Sequence, residues 1–499
     1  MPAPTKLFSA LLALGFFAPN LALAETSASE TPSLRTYAEL RRELTLLEWF
    51  SLGRVQTGPL VEAGRNGGLV DIDVPVDTVL PSAASLCGGT GIPTIRQAVT
   101  CTVEASGRGN HDPDAVGFST QGRPLLAARF GRPGGIKVAY ITQQHGNEVA
   151  STEAAMRFLR TLAFSRAPWV RQARAKLDIL FLIRANPDGS EPDPSCPAAP
   201  FATGATYPED CALTRWNVDK SAGGGYLAET EADFYGVVGQ GYDLNRYHYA
   251  ELDHPIRPVE AQTMVAALLA FGPQYLFDLH GDVVKTTCDI DLATVTVLPG
   301  LGLPVAACQA GTGDLVSFSV SDFANPAGGV DRDRGRILSA KVAGAVDRLG
   351  FGPVVRFAQA SVGSGAASAG SLDTYRTVLG TIPNLWEVRN FGTSSVVLGV
   401  NAVSAGQPVV GITNDTAYDP AVLDEGIRMN HVALATSVRA LTRLAHHAPP
   451  NDGDYCAIPR ASGGVFTLDP AFFGPNPIAT QPGVLPFALV PTLTLDDCP

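Results

Sequence analysis

The stretch QQHGNEVASTEA, Gln143 to Ala154, follows a β-branched run, IKVAYIT (Ile136–Thr142), and leads into helix-like sequence, STEAAMRFLRTLA. A buried strand, a polar turn and a helix make the repeating unit of an α/β domain. The turn holds His145 and Glu148 three residues apart, a spacing at which two side chains entering a helix can point the same way. Imidazole and carboxylate are donors that a catalytic zinc takes. Each residue also has a plain explanation. An acid in the first helical turn is favoured by the helix dipole, and a histidine at a strand end is more often a satisfied polar residue than a ligand. The pair alone decides nothing about chemistry.

Outward from this unit the alternation continues. LDILFLIR (Leu177–Arg184) predicts a second buried strand, closed by Asn186-Pro187-Asp188-Gly189. PVEAQTMVAALLAF predicts a helix with Pro258 near its start, and QYLFDLH a strand that runs straight into His280. RGRILSAKVAGAVDRLG reads as a helix ended by Gly350, NLWEVRN as a strand, and residues 421–445 as a long helix. Upstream, residues 35–55 carry apolar positions near helical spacing, whereas 56 to 125 read as loops and short strands with a disulfide. Polar residues recur where apolar runs end, in ITQQH, FLIRANPDG and LFDLHGD. Strand carboxyl ends are where open α/β sheets build their sites.

Composition narrows the partners. The 499 residues are 45% hydrophobic and 17% charged, with a net charge of −12. That balance is globular, and it argues against a nucleic-acid or anionic-membrane partner held by bulk electrostatics. Residues 1–24 read as a secretory signal: Lys6 supplies the basic start, Leu7 to Phe17 is apolar, and Ala22-Leu23-Ala24 is a small-x-small cleavage site. No later segment reads as membrane-spanning, so a periplasmic or secreted protein is expected. Eight cysteines without Cys-x-x-Cys exclude zinc-knuckle and thioredoxin-type spacing. In an oxidising compartment nearest neighbours would pair as Cys87–Cys101, Cys196–Cys211, Cys288–Cys308 and Cys456–Cys498.

His280, at the end of its own strand, can complete a His₂Glu ligand set with His145 and Glu148. The other histidines, His111, His248, His254, His431, His446 and His447, are assigned surface or structural roles. Five motifs then stand in order: His145-Gly-Asn-Glu148, Asn186-Pro-Asp-Gly189, Asp243-Leu-Asn-Arg246, Asp278-Leu-His-Gly281 and Trp386-Glu-Val-Arg-Asn390. Together they resemble the zinc carboxypeptidases of the carboxypeptidase A/B type, over roughly residues 130 to 395. The resemblance implies an α/β fold with a mixed, mostly parallel central sheet flanked by helices. With the flanking sequence the chain is expected to divide into a signal (1–24), an N-terminal arm and helical or loop region (25–125), a carboxypeptidase-like catalytic domain (126–447) and a Pro-rich, disulfide-tied tail (448–499).

The resemblance also assigns roles. His145, Glu148 and His280 match the ligands of one zinc per chain, and Glu387 matches the general base. Asn245 and Arg246 match the pair that holds the carboxylate of a peptide substrate, a task suited to the planar guanidinium. Asp243 matches the acid that orients the first zinc histidine, Arg215 the arginine at the scissile carbonyl, and Leu372 a residue of the side-chain pocket. There are departures. The capping tyrosine of the family falls at Gly365, Tyr375 is out of register, and Asn147 stands where digestive members carry arginine.

The implied activity is that of an exported, monomeric metallocarboxypeptidase. Two other readings of the same residues stay open: a periplasmic zinc amidase or peptidase acting on peptidoglycan stem peptides, and a non-catalytic binding protein on the same fold.

Overall fold

The computed structural model of the chain describes residues 35–61, 68–75, 87–89, 91–106, 116–146, 148–191, 217, 244–248, 258–282, 296–297, 304–305, 317–321, 330–356, 372–389, 420–444 and 453–459. The segments assigned to the signal and to most of the tail lie outside these residues, as do Asn147 and Gly365.

The strands are β1 (Val55–Pro59), β2 (Leu126–Gly131), β3 (Ile136–Thr142), β4 (Leu177–Ile183), β5 (Tyr275–Asp282), β6 (Thr296–Val297), β7 (Pro304–Val305), β8 (Phe318–Ser321), β9 (Val354–Arg356) and β10 (Ile382–Arg389). Eight of them form one sheet in the order β1-β2-β4-β3-β5-β10-β8-β9, while β6 and β7 pair separately. The centre is parallel: β4 with β3, β3 with β5, and β5 with β10. Antiparallel pairs lie outside it, β1 with β2, β2 with β4 and β10 with β8. The expected mixed, mostly parallel sheet is therefore present. Every residue of β4 is buried, as befits a central strand covered on both faces, which is why it reads as an unbroken apolar run.

The two-residue period of the strands sorts their side chains into two cores. On one face Tyr140 stacks between Phe181 and Phe277, with Trp386 beside them. Helices α1 (Tyr37–Ser51), α3 (Ala150–Phe164) and α8 (Pro420–Leu444) contribute to this core through Leu40, Phe158 and Leu434. α3 and α8 meet closely at Gly426, where a Cβ would lie 3.2 Å from Ala150 Cβ. On the other face Ala139, Ile141, Leu180, Leu276 and Leu385 cluster with residues of α2 (Ile95–Ser106) and α5 (Val259–Phe271). The remaining helices are α4 (Pro168–Lys176), α6 (Val330–Asp347), α7 (Asp373–Leu379) and α9 (Gly453–Cys456).

α1 begins with a capping box in which Thr36 and Glu39 satisfy each other's backbone N–H. Its entry is tied to the domain by a buried ion cluster. The Arg35 guanidinium pairs with Glu153 at the start of α3, and Arg184 donates to the Arg35 carbonyl at 2.6 Å and to Glu191 at 3.1 Å.

In the region 56–125 the short strand β1 agrees with the expected loops and short strands, whereas the helix α2 does not. α2 is rich in β-branched residues (Ile95, Val99, Thr100, Thr102, Val103), which are weak helix formers, and its packed face of Ile95, Ala98 and Val99 offsets that weakness. The expected Cys87–Cys101 disulfide is formed and ties α2 to the preceding segment. Cys456 is disulfide-bonded too, with its partner outside the described residues. The 196–211 and 288–308 pairs also fall outside them.

Candidate metal centre

Three strand ends build the site. β3 ends at Thr142 and is followed by Gln143, whose φ of 55° puts an ordinary residue in the left-handed region. Its side chain repays part of that strain locally: Gln143 Nε2 donates to Gly146 O at 2.8 Å and to Ser190 Oγ at 2.9 Å. Arg184, just past the end of β4, has a φ of 54°. The Asn186–Gly189 loop folds on itself through Gly189 N to Asn186 Oδ1 at 2.9 Å. Asp188 then receives Ser119 Oγ, Gln121 N and Arg123. The turn carrying His145 and Glu148 is thus held from both sides.

His145, Glu148 and His280 converge, as a cluster whose ligand atoms all lie within 4.8 Å of one another. His145 Nδ1 is 2.7 Å from Glu148 Oε1, His280 Nδ1 is 3.0 Å from Glu148 Oε2, and the two Nδ1 atoms are 3.1 Å apart. Donors on a tetrahedral zinc with bonds of ~2.1 Å would stand about 3.4 Å apart, so an opening of about 0.3 to 0.7 Å admits the ion. The donor set, two imidazole nitrogens and a carboxylate, is that of a catalytic zinc site with one position left over. Gly281 N donates to Glu148 Oε2 at 2.8 Å and fixes the carboxylate.

The electrostatics also favour a cation. Burial alone would raise the Glu148 pKa, yet the two imidazoles outweigh it and hold the carboxyl well below its usual range. Burial would lower the His280 pKa, but the Asp278 and Glu148 carboxylates push it up to about 10.

Glu387 lies on β10 opposite His280 on β5, as direct partners in the parallel register. Partners of this kind show their side chains on the same sheet face, so the half-buried Glu387 belongs to the face that carries His280. Asn245 sits in a short 3₁₀ turn, Leu244–Arg246, with its side-chain amide 3.3 Å from His280 Nε2. Arg246 shares that turn. Leu372 is buried at the start of α7, in the apolar cluster that includes Met264 and Tyr375. Arg215 and Asp243 lie outside the described residues.

Four further residues at the centre were given no part in the metal site by the sequence. Gln144, Asp278, His248 and Tyr375 are all fully buried, so of the surface or structural roles expected for His248 the structural one applies. Tyr375 is fully buried, with its hydroxyl 2.6 Å from His248 Nδ1. Only Asp278 carried a signal, two residues before His280 and therefore on the same face of β5.

A family model described as zinc carboxypeptidase matches residues 112–263, a span that includes His145, Glu148, Asn245 and Arg246 and stops before His280 and Glu387. No curated protein matches the chain. Among solved structures, a metallo-carboxypeptidase from Burkholderia cenocepacia is 15% identical with a TM-score of 0.37, covering 65% of this chain and 63% of its own. Carboxypeptidase A from Helicoverpa armigera is 11% identical with a TM-score of 0.46, covering 88% and 82%. A Pseudomonas aeruginosa metallo-carboxypeptidase, in complex with (2-guanidinoethylmercapto)succinic acid, is 16% identical with a TM-score of 0.34, covering 70% and 68%. Over residues 112–263, a span holding three of the five motifs, the chain is similar to the zinc carboxypeptidases.

Proposed function

We propose that the chain is an exported zinc metallocarboxypeptidase that hydrolyses the C-terminal peptide bond of peptides bearing a free carboxylate. The observation that carries this reading is the convergence of His145, Glu148 and His280 beside Glu387, the register partner of His280. Zinc held by these three ligands would lower the pKa of a coordinated water toward ~7 and polarise the carbonyl. Glu387 accepts the proton of the attacking water and hands it to the leaving amine. Arg215 steadies the developing oxyanion, and Asn245 and Arg246 hold the terminal carboxylate, with Leu372 at the side-chain pocket. Asp243 is the acid that orients the metal-binding His145.

The N-terminal signal and the Cys87–Cys101 disulfide support export to an oxidising periplasm or exterior. Among the described residues no helix is long and apolar enough to cross a membrane. One zinc per chain, a monomeric state and a catalytic domain over 126–447 complete the proposal.

The test is to incubate the purified protein, with and without a chelator, with mixed peptides and muropeptides and follow products by mass spectrometry. Zinc-dependent, stepwise loss of single C-terminal residues supports it. Cleavage of muropeptides alone would move the substrate to peptidoglycan, and no metal-dependent product from either would leave a binding protein.

A further inference from the structure

Behind His280 runs a buried chain of hydrogen bonds that none of the roles above uses. His280 Nε2 lies 2.8 Å from Asp278 Oδ2, and Gln144 Nε2 donates to the same oxygen at 2.6 Å. Gln144 Oε1 lies 2.6 Å from His248 Nε2, and His248 Nδ1 lies 2.6 Å from the Tyr375 hydroxyl. No member is more than 2% exposed.

The proton directions follow from the ends of the chain. A carboxylate only accepts, so His280 Nε2–H and the Gln144 amide N–H both donate to Asp278. Turning the amide over would set its oxygen against the carboxylate. Gln144 Oε1 therefore accepts, His248 Nε2–H donates to it, and His248 Nδ1 pairs with the Tyr375 hydroxyl. With a metal bound, the Nε2–H held by Asp278 leaves His280 Nδ1, the nitrogen beside His145 and Glu148, as the one that would offer its lone pair to the ion. A metal ligand needs that tautomer, and the partner of its other nitrogen is what sets it.

The members also stand on the four segments that carry the proposed site. Gln144 precedes His145, Asp278 shares its strand with His280, His248 follows the Asn245–Arg246 turn, and Tyr375 follows Leu372 on α7. We propose that His248 is a positioning residue which, through Gln144 and Asp278, locks His280 in the tautomer and orientation for metal binding and couples the Asn245–Arg246 turn to the metal centre. This rests on the carboxypeptidase reading of the site.

The test measures the zinc Kd by competition with a chromophoric chelator, beside thermal unfolding of the apoproteins. His248→Leu keeps bulk but removes the donor to Gln144, and its zinc Kd should rise about 10- to 100-fold, the usual effect of losing a partner behind a ligand. His248→Gln retains an N–H at a similar reach and should recover most of that loss. In His248→Leu/Asp278→Asn the two effects should fall well short of adding, since both act through one path. Tyr375→Phe, which deletes only a hydroxyl, should raise Kd several-fold with apoprotein unfolding near wild type, and it keeps the test open should His248→Leu fail to fold. Wild-type affinity in both His248→Leu and Tyr375→Phe, or fully additive effects in the double variant, overturns the proposal while the carboxypeptidase reading stands. A wild-type chain that binds no zinc overturns both.

Discussion

Glu387 and His280 face each other as register partners across the parallel pair β10–β5. The proposed base is thus fixed to the metal ligand by sheet hydrogen bonds, not by a loop. Glu387→Gln keeps the shape of the side chain and removes its basicity. It should fold and bind zinc like the wild type while kcat falls on the order of 10²- to 10⁴-fold. Metal analysis and peptide hydrolysis on the same sample check this, and full activity would remove Glu387 from the mechanism.

Zinc should act as a stabilising ligand. The site brings two imidazoles and a carboxylate to separations of 2.7 to 3.1 Å. Binding to the folded chain alone adds about 2.7 kcal/mol at a free zinc concentration 100 times Kd. Calorimetry should show Tm rising with zinc and falling with chelator, and His145→Ala should abolish the response.

A second buried acid sets a pH dependence away from the metal. Glu260, in the first turn of α5, receives Thr120 N at 2.7 Å and Asn217 Nδ2 at 2.9 Å. Burial, and then the charge of Asp188, push its pKa from 4.5 up to about 7. Between these values the folded chain holds a proton that the unfolded chain has released. Stability therefore falls as pH rises through that window and levels off above it. Glu260→Gln imitates the protonated form. It should match the wild type near pH 5 and exceed it at pH 8 by at most roughly 3 kcal/mol in urea unfolding.

The cluster at the entry to α1 should be unforgiving. Glu153 is 2% exposed and faces Arg35 and Arg184, itself 2% exposed in its side chain. Glu153→Ala leaves a buried guanidinium short of a partner and should destabilise by roughly 3 to 5 kcal/mol. Because the pair is buried, added salt should reproduce little of that loss. Removing residues through Ser51 would in addition uncover the apolar surface that Leu40, Leu44 and Leu47 cover, and an aggregating product is expected on expression.

The sheet was legible where apolar runs were long and unmistakable: β3, β4, β5 and β10 fall where IKVAYIT, LDILFLIR, QYLFDLH and NLWEVRN predict them. α2 was not, because its β-branched residues speak against a helix until its packed face is known. The three candidate ligands were legible because each stands where an apolar strand stops. Gln144, His248 and Tyr375 were not, since their partners lie 104 to 134 positions away and only the folded sheet supplies them. The same holds for Glu153, which reads as an ordinary first-turn acid until Arg35 and Arg184 are beside it.

The left-handed backbones at Gln143 and Arg184 bear on any effort to engineer a hardier protein. Residues forced into this region cost about 1–3 kcal/mol each, so glycine at either position would look like an easy gain in backbone energy. Yet Gln143 grips Gly146 and Ser190, and Arg184 grips Arg35 and Glu191. A screen ranked by melting temperature would be drawn to these two sites, and variants selected there would trade a firm ligand turn for a robust shell.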